Sequence, residues 1–337
     1  MTQEAEILPS DTPERYRAAV GRACSLLKAG ELVALPTETV YGLAANAFNP
    51  DAVARIFAAK MRPESNPIIV HVASLAMARR CTSTWPAVAD KLAEAFWPGP
   101  LTMILPRAND LPVIVTAGGP TVGIRWPSHP LMQDVILACG FPLAAPSANA
   151  SNELSPTNAA HVKKSLGSRI GWIVDGGECS VGIESTVVDL YASPPRVLRP
   201  GMIHIESLRA VIGEVAEGPG ESAPVLRSPG QLRKHYSPKA RLHVLNWDNE
   251  FEFRKIAALT GVDPATCHVL AHTIVPGSAG FAGVSVLPHE PHAFARALYA
   301  ELHRIDDLKA ETIIVEAAPN QPAWRGIADR LTRAAAE

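Results

Sequence analysis

The sequence predicts an α/β protein of two domains, in which a sheet covered by helices is followed by a smaller α/β domain. Short apolar runs alternate with helical apolar spacing along the chain, and a stretch rich in Gly, Pro and Ser separates two such alternations. The strand-like runs are apolar without clean alternation, which is typical of sheets covered by helices. A chain of 337 residues is also longer than one hydrophobic core usually organises.

The first domain is predicted over residues 12–210. Thr12-Pro13-Glu14 favours a helix start, and helical spacing continues to about Lys28. Pro36 ends the apolar run 32–35 and puts the following Thr-Glu-Thr on a loop. Further strands are predicted at 66–72, 101–106, 121–127, 142–147, 171–176 and 185–191, and helices at 51–60, 74–80, 86–96, 130–139 and 157–166.

Residues 211–240 are predicted to form a linker, because Gly, Pro and Ser are abundant there. The second domain is predicted over 241–337 and is of ordinary domain size. Its strands are expected in RLHVLNW, CHVLAH, VSVLP and TIIVEAA, and its helices at 251–259, 291–305 and 321–336.

Composition argues against several classes of protein. The 31 basic and 33 acidic residues nearly cancel, so we expect no strong direct binding of nucleic acid through charge. The five cysteines are scattered without a CxxC pair, which favours free thiols in a reducing compartment and no metal site. The acidic N-terminus is not a signal peptide, and no apolar run approaches the ~20 residues of a membrane span. We therefore expect a cytoplasmic protein.

Polar side chains follow or end several predicted strands. Ligands of open α/β sheets collect at strand ends, where loops expose N–H groups and short polar side chains. One such loop would mean little, but several in one domain predict a common site. The segments concerned are 37–39, 60–63, 71, 121–125, 146–149 and 184–186.

The local sequence leaves open what the charged members do. Lys60 and Arg62 suit a polyphosphate, but they equally suit the dipole of a helix C-terminus. His71 ends an apolar strand, where a structural role is the commoner one. Arg125, on a buried strand, needs an anion, either an internal carboxylate or a substrate carboxylate.

The segment PSANASNELSPT (146–157) is predicted to open a helix, with Ser155 as the N-cap and Pro156 at its first position. This segment either serves only as a turn and a helix cap, or it forms a loop that binds an anion or a ribose. The chain has no GxGxxG, GxxxxGK[ST], GxSxG or HExxH motif, so the common dinucleotide, ATPase and hydrolase templates are not indicated.

Together these segments resemble the YrdC/TsaC family of threonylcarbamoyl-AMP synthases in its long two-domain form. The resemblance covers about the first 240 residues in family order and is looser beyond them. It implies a twisted mixed sheet flanked by helices and a smaller Rossmann-like C-terminal domain. The motifs that carry it are PTETVYGLA (36–44), KMRPESNPIIVHV (60–72), WPGPLT (97–102), TVGIRWP (121–127), PSANASNELSPT (146–157), DGGECSVGIESTVVD (175–189), LRPG (198–201) and SPGQLRKHYSP (228–238).

The resemblance implies a reaction in which L-threonine and bicarbonate give a carbamate that attacks the α-phosphorus of ATP and expels pyrophosphate. It implies Mg²⁺ on the phosphates, and a separate transferase complex that receives the product and modifies tRNAs reading ANN codons. By residue, it implies an L-threonine site of Thr39, His71, Arg125, the backbone of Ala145, and Ser185. It implies an ATP site of Arg62, Asn66, Thr121, Ser147, Ser155, Arg199 and Tyr236, and catalytic roles for Lys60, Arg62 and Thr37.

Two details qualify this reading. Tyr236 would make 228–238 a lid over the nucleotide, whereas the sequence alone favours a plain linker. Asn152 stands where the family usually has glycine, and asparagine tolerates the left-handed backbone next best.

The competing classes are an RNA-binding module of the same fold and a carbamoyl-transfer maturation enzyme. Near-neutral charge disfavours the first, and the missing CxxC pairs and limited length disfavour the second.

Overall fold

The computed structural model describes residues 4–218 and 236–336. These residues form two compact units, each with its own sheet. The first unit comprises residues 4–151 and 155–218, and the second comprises 152–154 and 236–336. Both units are α/β, as the sequence predicts. Among the described residues, no helix is long and apolar enough to cross a bilayer.

The sheet of the first unit is mixed, and its order differs greatly from the order of its strands along the chain. From one edge to the other the strands run β1-β8-β2-β3-β7-β4-β6-β5-β9-β10-β11. The bounds are β1 (Glu6–Pro9), β2 (Val33–Leu35), β3 (Gly42–Asn46), β4 (Ile69–His71), β5 (Leu101–Pro106), β6 (Thr121–Arg125), β7 (Leu143–Ala144), β8 (Trp172–Asp175), β9 (Thr186–Asp189), β10 (Arg196–Arg199) and β11 (Ala216–Glu217).

Strand direction decides which loops meet. β2, β3, β7 and β4 are successively antiparallel, so β4 runs opposite to β2. β6 is parallel to β4, and β5 is antiparallel to β6. The predicted polar strand ends therefore do not all share one edge of the sheet.

Four of the seven helices described in the first unit begin at a side-chain cap. The side chain of Thr12 accepts the N–H of Arg15, and that of Asn49 accepts the N–H groups of Asp51 and Ala52. The helices are α1 (Pro13–Lys28), α2 (Pro50–Lys60), α3 (Leu75–Arg80), α4 (Ala87–Phe96), α5 (Pro130–Cys139), α6 (Ala159–Leu166) and α7 (Ile205–Ile212). The predicted domain boundary at residue 210 falls within α7.

The predicted start of α6 is wrong. Ser155 is not its N-cap, and Pro156 is not its first residue, because the helix begins at Ala159 and Asn158 caps it by accepting the N–H of His161. The hydroxyl of Ser155 instead donates to the carboxylate of Glu184. A charged acceptor elsewhere in the fold competes successfully for this hydroxyl.

The core of the first unit lies on both faces of the sheet. On one side α1 and α5 pack against it through apolar side chains such as Leu27, Met132 and Ile136. On the other side Ile56, Phe57 and Leu92 of α2 and α4 bury the opposite face. A sheet covered on both faces explains why its strands read as continuous apolar runs.

The second unit is a four-stranded parallel sheet in the order β12-β15-β13-β14, and a helix follows each of β12, β14 and β15. The predicted elements of this domain are confirmed within a few residues. They are β12 (Arg241–Leu245), α8 (Glu250–Leu259), β13 (Cys267–Ala271), β14 (Gly283–Val286), α9 (Pro291–Asp307), β15 (Thr312–Glu316) and α10 (Arg325–Ala334).

Candidate functional site

The loop after β2 is folded by the hydroxyl of Thr37. Its Oγ1 donates to the carbonyl of Val40 at 2.7 Å and accepts the N–H groups of Thr39 and Val40 at 3.2 and 3.3 Å. Such a turn replaces backbone hydrogen bonds that a three-residue polar loop cannot make. Thr37 therefore fixes the positions of Glu38 and Thr39, which are both buried.

Arg125, the last residue of β6, reaches this loop. Its Nη1 donates to Oγ1 of Thr39 at 2.7 Å, and its Nη2 lies 2.8 Å from Oε2 of Glu38. The second contact is an ion pair without hydrogen-bond geometry. Within residues 4–218 and 236–336, Nε and Nη2 of Arg125 and both carboxylate oxygens of Glu38 have no hydrogen-bond partner. An internal ion pair and an unfilled guanidinium edge are thus both present.

His71, the last residue of β4, lies beside Arg125 across the parallel ladder. Burial, and then the charge of Arg125, hold the pKa of this imidazole well below its usual range, so the ring is neutral at physiological pH. Its Nδ1 finds no hydrogen-bond partner in the described part of the chain. A neutral, unsatisfied imidazole suits a ligand hydroxyl, which can both donate and accept.

Ser185 lies on the other side of Arg125. Thr102 of β5 is the register partner of Arg125, and its hydroxyl is 2.8 Å from that of Ser185. Arg199 donates from Nε to the carbonyl of Ser185 at 3.0 Å and from Nη2 to its hydroxyl at 3.1 Å. Gly201 lets the chain after Arg199 lie close to the backbone of residues 185–186, because a Cβ at this position would lie 2.6 Å from the backbone nitrogen of Thr186.

Lys60 is buried, and its ammonium group donates to the backbone carbonyls of Ser147 and Asn149. The chain leaves the helix at Met61, whose φ is 50°. Arg62, which follows, donates to the carbonyls of Asn66 and Pro67 at 3.1 and 2.8 Å. Both cations therefore bind backbone carbonyls of loops that carry predicted ligand residues. Neither of them binds the last carbonyls of its own helix in these contacts.

The remaining predicted ATP residues of the first unit are spread more widely. Asn66 is buried, and its Oδ1 has no hydrogen-bond partner among the described residues. Ser147 is partly exposed. Its neighbour Ala145, which is predicted to bind L-threonine through its backbone, donates its N–H to the carbonyl of Ile69 at 3.1 Å. Thr121 begins the strand that Arg125 ends, so the two lie about 13 Å apart along β6.

Tyr236 belongs to the second unit. There it is buried with a φ of 63°, its ring lies 6.1 Å from that of Tyr299, and the guanidinium of Arg330 lies 5.4 Å from its centre. Its nucleotide contact stays a prediction. Of the predicted lid, residues 228–235 lie outside the described residues.

Sequence reasoning missed three members of this arrangement. Glu38 has no predicted role beyond the polar loop 37–39, although a carboxylate between two threonines at a strand end is itself a signal. Glu184 lies in the polar segment 184–186 and Thr102 in the motif 97–102, but neither has a predicted role of its own, because their importance depends on the hydroxyls of Ser155 and Ser185 that they contact.

The described residues contain no cluster of three or more His, Cys, Asp or Glu side chains that could hold a metal ion. The site is instead made of threonine and serine hydroxyls, two arginines, a neutral histidine and one carboxylate. Such a set can bind a zwitterion and an anion side by side.

Comparison with known proteins agrees with this chemistry. The family model of the Sua5/YciO/YrdC proteins, described as "Telomere recombination", matches residues 25–201. The chain belongs to the Sua5/YciO/YrdC family. A second family model, described as "Threonylcarbamoyl-AMP synthase, C-terminal domain", matches residues 203–336. The long two-domain form of the family, expected from the motifs, is therefore confirmed.

Relatives within the Sua5/YciO/YrdC family match almost the whole chain. A threonylcarbamoyl-AMP synthase of Pyrococcus abyssi is 38% identical over 93% of this chain and 92% of its own length. One of Bacillus subtilis is 40% identical over 94% and 92%. The crystal structure of P. abyssi Sua5 complexed with L-threonine has a TM-score of 0.87 at 36% identity, covering 98% of this chain and 96% of that one.

Proposed function

We propose that this chain is a threonylcarbamoyl-AMP synthase, which joins L-threonine, bicarbonate and ATP into threonylcarbamoyl-AMP and pyrophosphate. The observation that carries the proposal is the buried guanidinium edge of Arg125. It lies beside Thr39 and His71 in a chain whose relatives of 38% and 40% identity bear that name. The related P. abyssi protein was crystallised with L-threonine.

Arg125 suits the carboxylate of threonine. Nε and Nη2, its two nitrogens without a hydrogen-bond acceptor, form the edge that binds a carboxylate through two parallel hydrogen bonds. Its Nη1 is committed to Thr39, which fixes the plane of the guanidinium. His71, neutral and with Nδ1 unsatisfied, suits the hydroxyl of threonine. Ser185 and the backbone of Ala145 complete the proposed pocket.

For ATP we propose Arg62, Asn66, Thr121, Ser147, Ser155 and Arg199, as the family resemblance implies. Oδ1 of Asn66 is a buried acceptor that a bound ligand could satisfy. Arg199 lies against Ser185 and so would bring cationic charge close to the threonine pocket, where phosphate charge must be neutralised. We propose that magnesium enters on the nucleotide, as part of the substrate.

The reaction needs no covalent enzyme intermediate. The amine nitrogen of threonine attacks the carbon of bicarbonate, a C–O bond breaks, and water leaves with a proton from the amine. An oxygen of the resulting carbamate attacks the α-phosphorus of ATP, and the bond to the bridging oxygen of the β-phosphate breaks to release pyrophosphate. The chain contributes by holding three reactants together, neutralising charge and excluding water from the carbamate. Thr37, Lys60 and Arg62 serve this by fixing the loops around the reactants.

We further propose that the product passes to a separate transferase that modifies the adenosine beside the anticodon of tRNAs reading ANN codons, in the cytoplasm. The near-neutral charge of the chain supports a role in which tRNA itself is bound by that partner.

The proposal is tested by pyrophosphate release from ATP by the purified chain, with threonine and bicarbonate omitted in turn and serine tested in place of threonine. We expect release that requires both co-substrates, much weaker release with serine, and threonylcarbamoyl-AMP in the mass spectrum. Release that is indifferent to threonine or bicarbonate would refute the synthase activity.

A variant pair tests the role of Arg125. Arg125→Lys keeps the charge but loses the planar edge, so we expect the KM for threonine to rise roughly 30-fold or more with little change in the KM for ATP. Arg17→Lys is the matched control, because Arg17 is largely exposed and pairs only with the exposed Glu14 in the described structure. An unchanged KM for threonine in Arg125→Lys would contradict the assignment.

A further inference from the structure

Glu38 is a buried carboxylate that the proposed chemistry leaves without a task. Its side chain is 5% exposed, yet within residues 4–218 and 236–336 neither oxygen has a hydrogen-bond partner. Leaving a buried ionised group without hydrogen bonds is costly, so such groups usually receive them from a ligand or a charged partner. The backbone of Glu38 is well anchored, because its carbonyl accepts the N–H of Val181 at 2.7 Å.

The neighbours of Glu38 supply one positive charge. Arg125 is the cation of the described structure within ion-pair distance, at 2.8 Å. Cys179 is also close to Glu38, and burial, followed by that carboxylate, raises the pKa of its thiol, so it stays neutral. Burial also lowers the pKa of His129, which the charge of Glu38 offsets only in part, so this ring is neutral at neutral pH.

The contact with Arg125 does not satisfy Glu38. The N–H groups of Nη2 do not point at Oε2, although the atoms are 2.8 Å apart, and the Nε/Nη2 edge stays unfilled. A structural ion pair between these residues would align the two groups and use their hydrogen-bonding capacity. The observed pair instead presents a positive and a negative group side by side, both still able to make hydrogen bonds.

A ligand that completes both groups has a carboxylate and an ammonium on neighbouring atoms, which describes an α-amino acid. We infer that Glu38 binds the ammonium group of the amino-acid substrate while Arg125 binds its carboxylate, so that Glu38 selects amino acids against hydroxy acids. This inference rests on the proposed function and names a residue of the same site. A simple carboxylate in place of the amino acid would leave Glu38 buried beside a second negative charge without compensation.

Three ligands separate the two contacts. L-Threonine carries both groups, 3-hydroxybutyrate is threonine without its amino group, and L-threoninol is threonine without its carboxylate. Their dissociation constants would be measured by calorimetry on the full-length protein and on Glu38→Gln. We expect Glu38→Gln to weaken threonine and threoninol each by roughly 30-fold, and to leave 3-hydroxybutyrate unchanged or tighter. Arg125→Gln should weaken threonine and 3-hydroxybutyrate and spare threoninol.

Controls keep the outcome interpretable. Glu31→Gln removes a carboxylate that pairs with Arg55 on the surface, and it should change none of the three constants. If Glu38→Gln does not fold, Glu38→Asp retains the charge, and it should keep the preference for threonine over 3-hydroxybutyrate.

Equal weakening of threonine and 3-hydroxybutyrate by Glu38→Gln would overturn the inference, since it would mean that Glu38 only orients Arg125. Unchanged threonine binding would overturn it as well. Failure of the unmodified protein to bind threonine at all would instead remove the proposed function, so the two failures are distinguishable.

Discussion

Replacing Lys60 with methionine tests what this buried cation does. Methionine keeps most of the aliphatic length of the side chain and so preserves its buried packing. It removes the ammonium that donates to the carbonyls of Ser147 and Asn149. If Lys60 holds this loop, the substitution should destabilise the fold as well as reduce activity.

The magnitude follows from the two carbonyl groups. Each buried carbonyl that loses its donor costs about 1–3 kcal/mol. Removing the buried charge of the lysine offsets part of this loss of stability, because the ammonium no longer has to be desolvated when the chain folds. The free energy of unfolding should therefore fall by about 2–4 kcal/mol. For a unit of roughly 200 residues, that lowers Tm by about 5–15 °C.

Urea unfolding followed by tryptophan fluorescence, beside steady-state kinetics, provides the assay. We expect Lys60→Met to unfold at lower urea and to raise the KM for ATP, because Ser147 belongs to the loop that becomes loose. The matched control is Lys91→Met on the exposed face of α4, which should alter neither quantity. An unchanged urea midpoint together with a lower kcat would refute the reasoning and would indicate that the ammonium acts directly on the reactants.

Two further predictions concern single residues. Asn152 has a φ of 69°, so Asn152→Gly should change the free energy of unfolding by less than about 0.5 kcal/mol, whereas Asn152→Val should lower it by about 1–2 kcal/mol in urea titrations. Because the pKa of His71 lies below its value in the unfolded chain, unfolding takes up a proton there, and stability falls as pH drops below about 6.5. His71→Gln should reduce that slope by up to about 1.4 kcal/mol per pH unit between pH 6.5 and 5, and an unchanged slope would contradict a neutral His71.

Most helices and strands could be predicted because their signals are local. Thr12 and Pro13 define the start of α1, and Pro36 marks the end of β2, without help from the rest of the fold. The left-handed backbone expected at Asn152 is confirmed for the same reason. The short strand β1 is not predicted, since its four residues form a strand only through pairing with the distant β8. The short strand β10 is not predicted either, although it pairs with the neighbouring β9.

The candidate site could be predicted only in part. The motifs identified which residues matter, but their mutual contacts depend on a strand order that no local pattern encodes. Arg125 meets Thr39 because β6 lies four positions from β2 in a sheet whose strands change direction three times between β2 and β4. The same limit explains the error at Ser155, whose hydroxyl is taken by Glu184, 29 residues further along the chain.

The position of β8 between β1 and β2 also has a consequence for synthesis of the chain on the ribosome. β1 pairs with β8, and β8 pairs with the outer edge of β2. Neither β1 nor this edge of β2 can therefore pair until Trp172 has been synthesised. At about 5–20 residues per second, the roughly 140 residues that follow β2 take about 7–30 s to be made. Over that interval the nascent N-terminal strand has its backbone groups open to solvent and to other chains. During translation, folding therefore requires that this unpaired strand edge be covered, so that it does not pair with other chains.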